Sequence, residues 1–374
     1  MVPLVTQAEI DNDGRSIALT LNSARILQSI GVWPALENSV TPINTVHVSA
    51  RGHFGVTRIQ ASEEKVPALG YVVPAMLLAT ALNKLLKANQ SIDLFNPNKV
   101  TSLIKNAQGW QVTLENQGVV QTIQTRLIIA ADGTQSTIRK LQKIATTEKN
   151  YQQSAISTRI TINSDHKNIA YERFMTDGAL ALLPLAANNC GLIWTASDNK
   201  IQELMALPDQ EFLKYTQNVF GYRLGRWLTV NKRFVYPLKM LFATEQVQAG
   251  LVLIGNAAHT IHPLAAQGFN LGLSDVAVLA QTLVDALKNK TDFASLAVLK
   301  KYEETQINTQ QQIIGFTDRL TRIFAHDILP FNLLRNCGLL TLDICAPLKH
   351  RLANTLMGTA GHLTDLQLGI PYEQ

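Results

Sequence analysis

Apolar positions follow two different spacings along this chain, and each spacing predicts a different kind of element. The continuous apolar runs Leu127–Ala131 and Leu251–Ile254 predict fully buried parallel strands, because a strand covered on both faces shows no polar alternation. Apolar residues three or four positions apart predict helices over Ser16–Ile30 and Pro74–Leu86, and helices dominate from Ser274 onward. Parallel strands combined with helices predict an α/β fold.

Short alternating runs fill much of the remaining sequence. Val100–Ile104, Trp110–Leu114 and Val119–Thr125 alternate between apolar and polar residues and predict an antiparallel meander. Between about 151 and 240, β-like runs dominate, and a single helix over Asp209–Val219 interrupts them. This change of texture predicts a mostly-β lobe inserted into the α/β domain.

The composition narrows the possible partners and compartments. Of the 374 residues 46% are hydrophobic and only 16% are charged, with a formal net charge of +5. Basic residues are not clustered among aromatics, so nucleic acid is not an expected partner. The three cysteines form no Cys-x-x-Cys pair, which favours a reduced, cytoplasmic protein. We expect no signal peptide, and polar residues interrupt the apolar stretch Ile328–Leu348, so attachment at the surface of the inner membrane is the open alternative to a free protein.

One candidate ligand site follows the first apolar run. Asp132 and Gly133 end the predicted strand, and a predicted helix begins a few residues later. Glycine lets a backbone approach a ligand closely, and a helix start presents free N–H groups to phosphate. Asp132 could accept hydrogen bonds from a ribose or from nearby backbone, and Arg139 could neutralise a phosphate or hold the aspartate. An ordinary strand-to-helix turn with an N-terminal cap fits the same residues.

A second candidate site follows the other apolar run. Gly255 and Asn256 end the strand, and Gly268 precedes an amphipathic helix with its apolar face at Val276, Leu279, Ala280, Leu283 and Leu287. The partial positive charge at the start of such a helix favours an anionic group. His259 and His262 have a spacing that suits a metal, but the sequence offers no third ligand nearby, and structural roles are the better interpretation.

Together the two sites resemble the group A flavoprotein aromatic hydroxylases, the para-hydroxybenzoate hydroxylase type. Within that group the chain is similar to the ubiquinone-biosynthesis hydroxylases of the 2-polyprenyl-6-methoxyphenol type. The resemblance runs from about Asp13 to about Gly358 and is carried by Asp13–Leu19, Ile30–Trp33, Val46–His53, Phe220–Gly225 and Gly255–Ala258.

The resemblance implies a fold, a cofactor and a set of contacts. The fold is an FAD/NAD(P)-binding, Rossmann-like α/β fold with a β-rich substrate domain and a helical C-terminal tail. We expect FAD-binding segments at 1–150 and 241–290, the substrate domain at 151–240 and the helical region at 291–374. The cofactor contacts carried over from the family are Arg15, Asp132, Gly133, Gly255, Asn256, Pro263, Gln267, Gly268, Phe269 and Asn270.

The chain departs from the family in ways that bear on cofactor binding. The family begins with a strand and a Gly-x-Gly-x-x-Gly loop that cradles the FAD pyrophosphate, and no Gly-x-Gly occurs here. We therefore expect the FAD-binding part to be truncated at the N-terminus, and the chain alone to fold poorly or to bind FAD weakly. Ala266 also replaces the usual glycine before Gln267, and Pro74 stands where the closest relatives often have glutamate.

The implied chemistry is hydroxylation of a phenol. In this family NAD(P)H reduces FAD, oxygen adds to the reduced flavin, and a C4a-hydroperoxyflavin delivers oxygen to an electron-rich ring. The expected substrates are a polyprenylphenol and O2. Three alternatives stay open: a truncated non-catalytic relative, an interaction subunit of a quinone-biosynthesis assembly, and a flavin enzyme of another reaction. The Trp-x-Trp-x-x-Ile pattern expected of halogenases is absent from the sequence.

Overall fold

The computed structural model describes residues 15–262, 266–325 and 329–372, with side chains described outside 321–335. These residues form ten α-helices and eighteen strands. The helices are α1 (Leu21–Ser29), α2 (Ala75–Ala88), α3 (Thr137–Leu141), α4 (Asp198–Ala206), α5 (Asp209–Phe220), α6 (Gln267–Lys288), α7 (Leu296–Ala325), α8 (Leu329–Ile344), α9 (Ala346–Met357) and α10 (Asp365–Leu368). The strands are β1 (Ser16–Thr20), β2 (Thr41–Ile43), β3 (Thr45–Ala50), β4 (Val56–Gln60), β5 (Gly70–Pro74), β6 (Lys99–Asn106), β7 (Gly109–Asn116), β8 (Val119–Thr125), β9 (Ile128–Ala130), β10 (Thr146–Ile162), β11 (Ile169–Met175), β12 (Gly178–Leu185), β13 (Asn189–Ser197), β14 (Trp227–Val230), β15 (Phe234–Ala243), β16 (Val247–Gln248), β17 (Leu251–Leu253) and β18 (His259–Thr260).

The largest sheet has nine strands and combines distant parts of the chain. Its order is β18-β15-β10-β13-β12-β11-β3-β4, with β14 also paired to β10. Helices α4 and α5 cover part of one face, where Ile156, Trp194 and Phe212 are buried in a common cluster. Strands β3 and β4 come from the segment before the predicted insertion, and the parallel pairing of β3 with β11 joins them to it. The predicted β-rich lobe is therefore continuous with strands from outside 151–240.

Two smaller sheets carry the predicted parallel strands and the meander. Strands β9 and β17 pair in parallel, and β16 extends their sheet by antiparallel pairing. Strands β6, β7 and β8 form the expected antiparallel meander. The prediction that the first apolar run is fully buried holds only for Ala130. Leu127 and Ile128 are half-buried, and Ile129 and Ala131 are exposed, Ile129 to 45%. Among the described residues β9 pairs with β17 alone, so the other edge of β9 carries no strand that would cover this side chain.

The start of the first predicted helix is wrong. Ser16–Thr20 forms β1, which pairs antiparallel with β5, and α1 begins only at Leu21. The Thr20 side chain accepts a hydrogen bond from Ser23 N, so it caps the helix at this position. The apolar residues Ile17, Ala18 and Leu19 fit a strand as well as a helix, and the pairing partner decides between them.

Candidate active site

The two predicted ligand turns lie side by side at one edge of the small parallel sheet. Leu253 of β17 is paired with Ala130 of β9, so both strands end at the same level. The turn with Asp132 and Gly133 therefore adjoins the turn with Gly255. The carboxyl ends of parallel strands are where ligands bind in α/β sheets.

A buried arginine fixes the two turns to each other. Arg139 is 5% exposed, and its guanidinium donates from Nη1 to Ala257 O at 2.7 Å and from Nη2 to Thr134 O at 2.7 Å. The hydroxyls of Thr134 and Thr260 form a second link at 3.0 Å. Arg139 therefore links the two turns instead of binding a phosphate or Asp132, because its Nη1 and Nη2 atoms both donate to main-chain carbonyls.

Asp132 caps the helix that follows its turn. Its Oδ2 accepts hydrogen bonds from Thr137 N at 2.7 Å and Ile138 N at 3.1 Å, at the start of α3. This is the backbone role that the sequence left open beside the ribose role. Gly133 has φ +82°, and a Cβ built there would meet no atom within 4 Å. The turn therefore presents an open backbone surface beside an exposed carboxylate.

The predicted residues at the start of α6 are held against β1. The Asn270 side chain accepts from Thr20 N and donates to Ala18 O, both at 2.9 Å. Gln267 is buried, whereas Phe269 is 38% exposed. Helix α6 has no side-chain capping hydrogen bond at Ala266 and no acidic residue in its first turn. Its N–H groups and partial positive charge suit the anionic edge of a ligand.

The glycines around these turns fit a large flat cofactor. A Cβ at Gly268 would meet only Ile261 Cγ1, at 3.6 Å, and a Cβ at Gly255 would meet only Gly272 Cα, at 3.8 Å. Side chains on Gly133 and Gly268 would enter space that the described residues leave open. Asn256 is exposed beside Gly255. The residues present therefore fit FAD along this edge.

The predicted cofactor contact Arg15 lies at another element of the fold. Arg15 is exposed at the start of β1, where its carbonyl accepts from Ala75 N and its Nη2 lies 3.9 Å from Met76 Sδ. Its described contacts are thus with the first turn of α2. Pro263 lies outside the described residues.

A buried carboxylate that sequence reasoning missed organises the second turn. Asp275 is fully buried, and its Oδ2 accepts from Gly255 N at 2.8 Å and from His259 Nε2 at 2.6 Å. Its Oδ1 accepts from the amides of Gln306 and Gln310, at 2.8 and 3.0 Å. One side chain therefore connects α6, α7 and the turn after β17.

The sequence did contain a signal for Asp275. The predicted apolar face of α6 is wrong at Val276 and Leu287, which are 39% and 60% exposed. The observed face carries Leu271, Val278 and Leu279, and Asp275 lies among them. An acid in the apolar stripe of a helix indicates a buried, hydrogen-bonded role.

Each of the two histidines lies beside a different polar side chain. His259 binds Asp275, and His262 Nε2 lies 3.4 Å from Gln153 Oε1. Burial lowers the pKa of His262 to about 4. Within the described ranges no group of three or more histidine, cysteine or acidic residues could hold a metal ion.

An apolar cavity of about 210 Å³ adjoins the start of α6. One wall is the nine-stranded sheet, with Val48, Ala170 and Ala181 among its residues, and the opposite wall includes Leu339 of α8 and Met357 of α9. Gln267 and Asn270, in the first turn of α6, also line it. An apolar cavity of roughly 150 Å³ can hold benzene, so this one has room for a substituted aromatic ring.

Comparisons with known proteins agree with this arrangement. The FAD binding domain family matches residues 5–317, which is most of the chain. This chain belongs to the FAD-binding domain family. The matched range includes the turns after β9 and β17 and the start of α6.

The chain is also similar to individual hydroxylases in sequence and to a monooxygenase in structure. The ubiquinone hydroxylase UbiL of Rhodospirillum rubrum is 34% identical over 93% of this chain and 80% of its own length. The 3-demethoxyubiquinol 3-hydroxylase of Escherichia coli is 30% identical over 94% of this chain and 89% of its own. The crystal structure of p-nitrophenol 4-monooxygenase PnpA from Pseudomonas putida has a TM-score of 0.75 at 12% identity and covers 93% of this chain and 89% of that one.

These findings confirm the main expectations from sequence. The α/β fold of the para-hydroxybenzoate hydroxylase type is confirmed. So are the resemblance to the ubiquinone-biosynthesis hydroxylases and an FAD-dependent monooxygenase that uses NAD(P)H. The individual cofactor contacts and the domain boundaries stay predictions.

Proposed function

We propose that this chain hydroxylates a polyprenylated methoxyphenol in ubiquinone biosynthesis, with FAD as cofactor, NAD(P)H as electron donor and O2 as co-substrate. The observation that carries the proposal is the apolar cavity beside the start of α6, because it brings space for an aromatic ring next to the predicted flavin contacts. The names of the relatives from Rhodospirillum rubrum and Escherichia coli support the substrate class.

The residues of this chain would divide the work by position. Bound FAD, reduced by NAD(P)H, supplies the electrophilic oxygen that enters the ring. Gly133, Gly255 and Gly268 would let the backbone approach the cofactor, and the start of α6 would stabilise negative charge on it. Arg139 would hold the two turns to each other, and Asp275 would hold the turn after β17 to α6. The apolar walls of the cavity would orient the ring and exclude water.

A hydroxylation assay with labelled oxygen tests this function. The chain, purified with excess FAD, is supplied with NAD(P)H, ¹⁸O2 and 2-prenyl-6-methoxyphenol as a short-chain probe. We expect a product that carries one labelled oxygen atom, as judged by mass spectrometry. NAD(P)H oxidation without an oxygenated product would argue for another flavin reaction. A chain that retains no FAD would instead support the non-catalytic or interaction-subunit alternatives.

We also propose that the protein meets a membrane surface or a quinone-biosynthesis complex, since a polyprenyl substrate resides in the membrane. Ile344 and Leu348, which are 81% and 45% exposed, offer apolar side chains in the C-terminal helices, and the net charge of +5 suits anionic headgroups. Among the described residues, no helix combines the length and hydropathy that a membrane span requires. Co-sedimentation with anionic vesicles tests the proposal, and an Ile344→Asp, Leu348→Asp variant should remain in the supernatant.

A further inference from the structure

Among the described residues, Glu172 is the one carboxyl group that lines the apolar cavity. Glu172 lies in the middle of β11, and its neighbours on the same strand face, Ala170 and Phe174, also line the cavity. Its partners on the adjoining strands are Val48 of β3 and Ala181 of β12, and both line the cavity as well. Glu172 is thus surrounded by apolar side chains on the wall of the proposed ring site.

The Glu172 carboxyl has no partner in the described part of the chain. No hydrogen bond or ion pair to it is found there, although this side chain is half-buried and a charge held away from water is costly. Two threonine hydroxyls of the lining are already engaged: Thr57 Oγ1 donates to Leu339 O, and Thr195 Oγ1 donates to Ala179 O. An unpartnered carboxyl in such a wall leaves its hydrogen-bonding capacity to a ligand.

The cationic groups near β11 lie on the opposite face of the sheet. Arg173 Nε donates to Val219 O, and Arg223 Nη1 lies 3.1 Å from His47 Nε2. Because successive residues of a strand point to opposite faces, these groups do not face the Glu172 carboxyl. Burial raises the pKa of Glu172 to about 7. The carboxyl is therefore a stronger base than an exposed glutamate and can still ionise near neutral pH.

We propose that Glu172 accepts the proton of the substrate's phenolic hydroxyl while the ring is hydroxylated, an inference that rests on the proposed phenol-hydroxylating function. As the ring gives electrons to the incoming oxygen, positive charge develops on the phenolic oxygen and its proton becomes acidic. The phenolic O–H bond breaks, its electron pair forms the ring carbonyl of a dienone, and the proton binds a carboxylate oxygen of Glu172. The ring C–O bond forms as the O–O bond of the oxygen donor breaks. The oxygen that remains on the donor then takes up the ring C–H proton, which restores the aromatic ring, and the carbonyl oxygen regains a proton from Glu172.

Turnover measurements with a matched control test the role. The variants are Glu172→Gln and Glu115→Gln, the latter removing an exposed strand carboxylate of the meander. With FAD-loaded enzyme and 2-prenyl-6-methoxyphenol, Glu172→Gln should lower kcat at pH 7 by about 100-fold and abolish the inflection of kcat near that pH. A fluorinated probe, whose hydroxyl is more acidic, should recover more of the rate in this variant than in the parent. Glu115→Gln should match the parent, and an unchanged pH profile in Glu172→Gln would overturn the inference.

A binding measurement separates this inference from the proposed function. para-Nitrophenol is bound to the FAD-loaded proteins, and its ionisation is followed by the visible absorbance of its phenolate. A nearby carboxylate raises the pKa of a bound phenol, so Glu172→Gln should lower the apparent pKa of the bound probe by about one unit or more, and Glu115→Gln should not. That result without any turnover would support the position of Glu172 while rejecting the proposed function. Equal values in all three proteins, or no binding by the parent, would reject the role of Glu172.

Discussion

At the scale of single residues, the candidate site contains a glycine and a carboxyl group that lack a contact or partner one would expect among the described residues. The position of Gly268 has room for a Cβ beside the described residues, and its φ lies outside the left-handed region, so the described fold does not require glycine there. Glu172 has a carboxyl group without a partner in the described part of the chain. Each is explained more simply by a ligand than by the fold, and each can be tested by one substitution.

Gly268→Val should weaken FAD binding without unfolding the protein. A Cβ at this position makes only an ordinary contact with Ile261, so the apoprotein should keep its Tm to within a few degrees. A side chain between the helix start and the cofactor should raise the Kd for FAD at least about 10-fold, a loss of roughly 1.4 kcal/mol. Flavin titration and thermal melts of the apoprotein measure the two effects. The control is Gly338→Val in α8, where a Cβ meets no described atom within 4 Å, and equal FAD affinities in both variants would contradict the placement.

Glu172→Gln should stabilise the protein at alkaline pH. Burial raises the pKa of this carboxyl from 4.5 to about 7, so its contribution to stability is fully present below pH 4.5 and is lost as pH rises to about 7. The amide does not ionise and avoids this loss. The variant should therefore have a higher Tm than the parent at pH 8 and a similar Tm at pH 5. A Tm difference that does not change between these pH values would show that the carboxyl is well solvated.

At the scale of elements, α6 holds the candidate site together. Its first turn meets β1 through Asn270, its second turn approaches the turn after β17 through Gly272, and Asp275 then reaches both that turn and α7. The backbone approach at Gly272 is close, because a Cβ there would lie 3.4 Å from Gly255 Cα. The position of the turn is therefore set by α6.

Asp275→Asn should destabilise the protein by about 3 kcal/mol, because four buried donors lose a charged acceptor. The amide keeps one acceptor oxygen, but its NH2 group faces donors from His259, Gln306 or Gln310. Urea unfolding gives the free energy of unfolding for comparison with Asp285→Asn, which changes an exposed aspartate of the same helix. If the two variants lose equal stability, the buried network contributes little.

The elements also show what could be predicted from sequence. The meander, β17 and the helix over 209–219 follow from local pattern and were predicted with small errors at their ends. Ser16–Thr20 was predicted as helix because its five residues fit either period, and only pairing with β5 makes them a strand. The cavity-facing role of Glu172 was not predictable, since the sequence of β11 does not reveal which face of the strand meets the C-terminal helices.

At the scale of the whole molecule, arginines lie around a histidine on the face of the nine-stranded sheet opposite the cavity. The face opposite the cavity carries a buried histidine, His47, with Arg223 bonded to its Nε2 and Arg58 paired across from it on β4. Burial, and then the charge of Arg223, lowers the pKa of His47 to about 4. The fold therefore holds this imidazole neutral.

The stability of the fold should depend on pH through His47. A histidine whose pKa falls from 6.5 to about 4 on folding contributes stability that is present above pH 6.5 and is lost as pH falls to about 4. The full effect corresponds to roughly 3 kcal/mol. We expect His47→Gln to lose less stability than the parent between pH 7 and pH 4, as measured by urea unfolding at each pH. His362→Gln, at an exposed position, should behave as the parent does, and parallel curves for the parent and His47→Gln would contradict the assignment.

The strands of the nine-stranded sheet come from distant parts of the chain, and this affects the rate of refolding. Its strands come from 45–60, 146–243 and 259–260, and the parallel pairing sets Thr45 beside Ile169. Contacts between such distant residues form late, after the entropy of closing a long loop has been overcome, so refolding should be slow, on the order of milliseconds to seconds or longer. Until that pairing forms, one edge of β11 has no strand partner and can pair with other unfolded chains. The yield of refolded protein should therefore fall as the chain concentration during refolding rises, and should recover when a chaperone that holds unfolded chains is present.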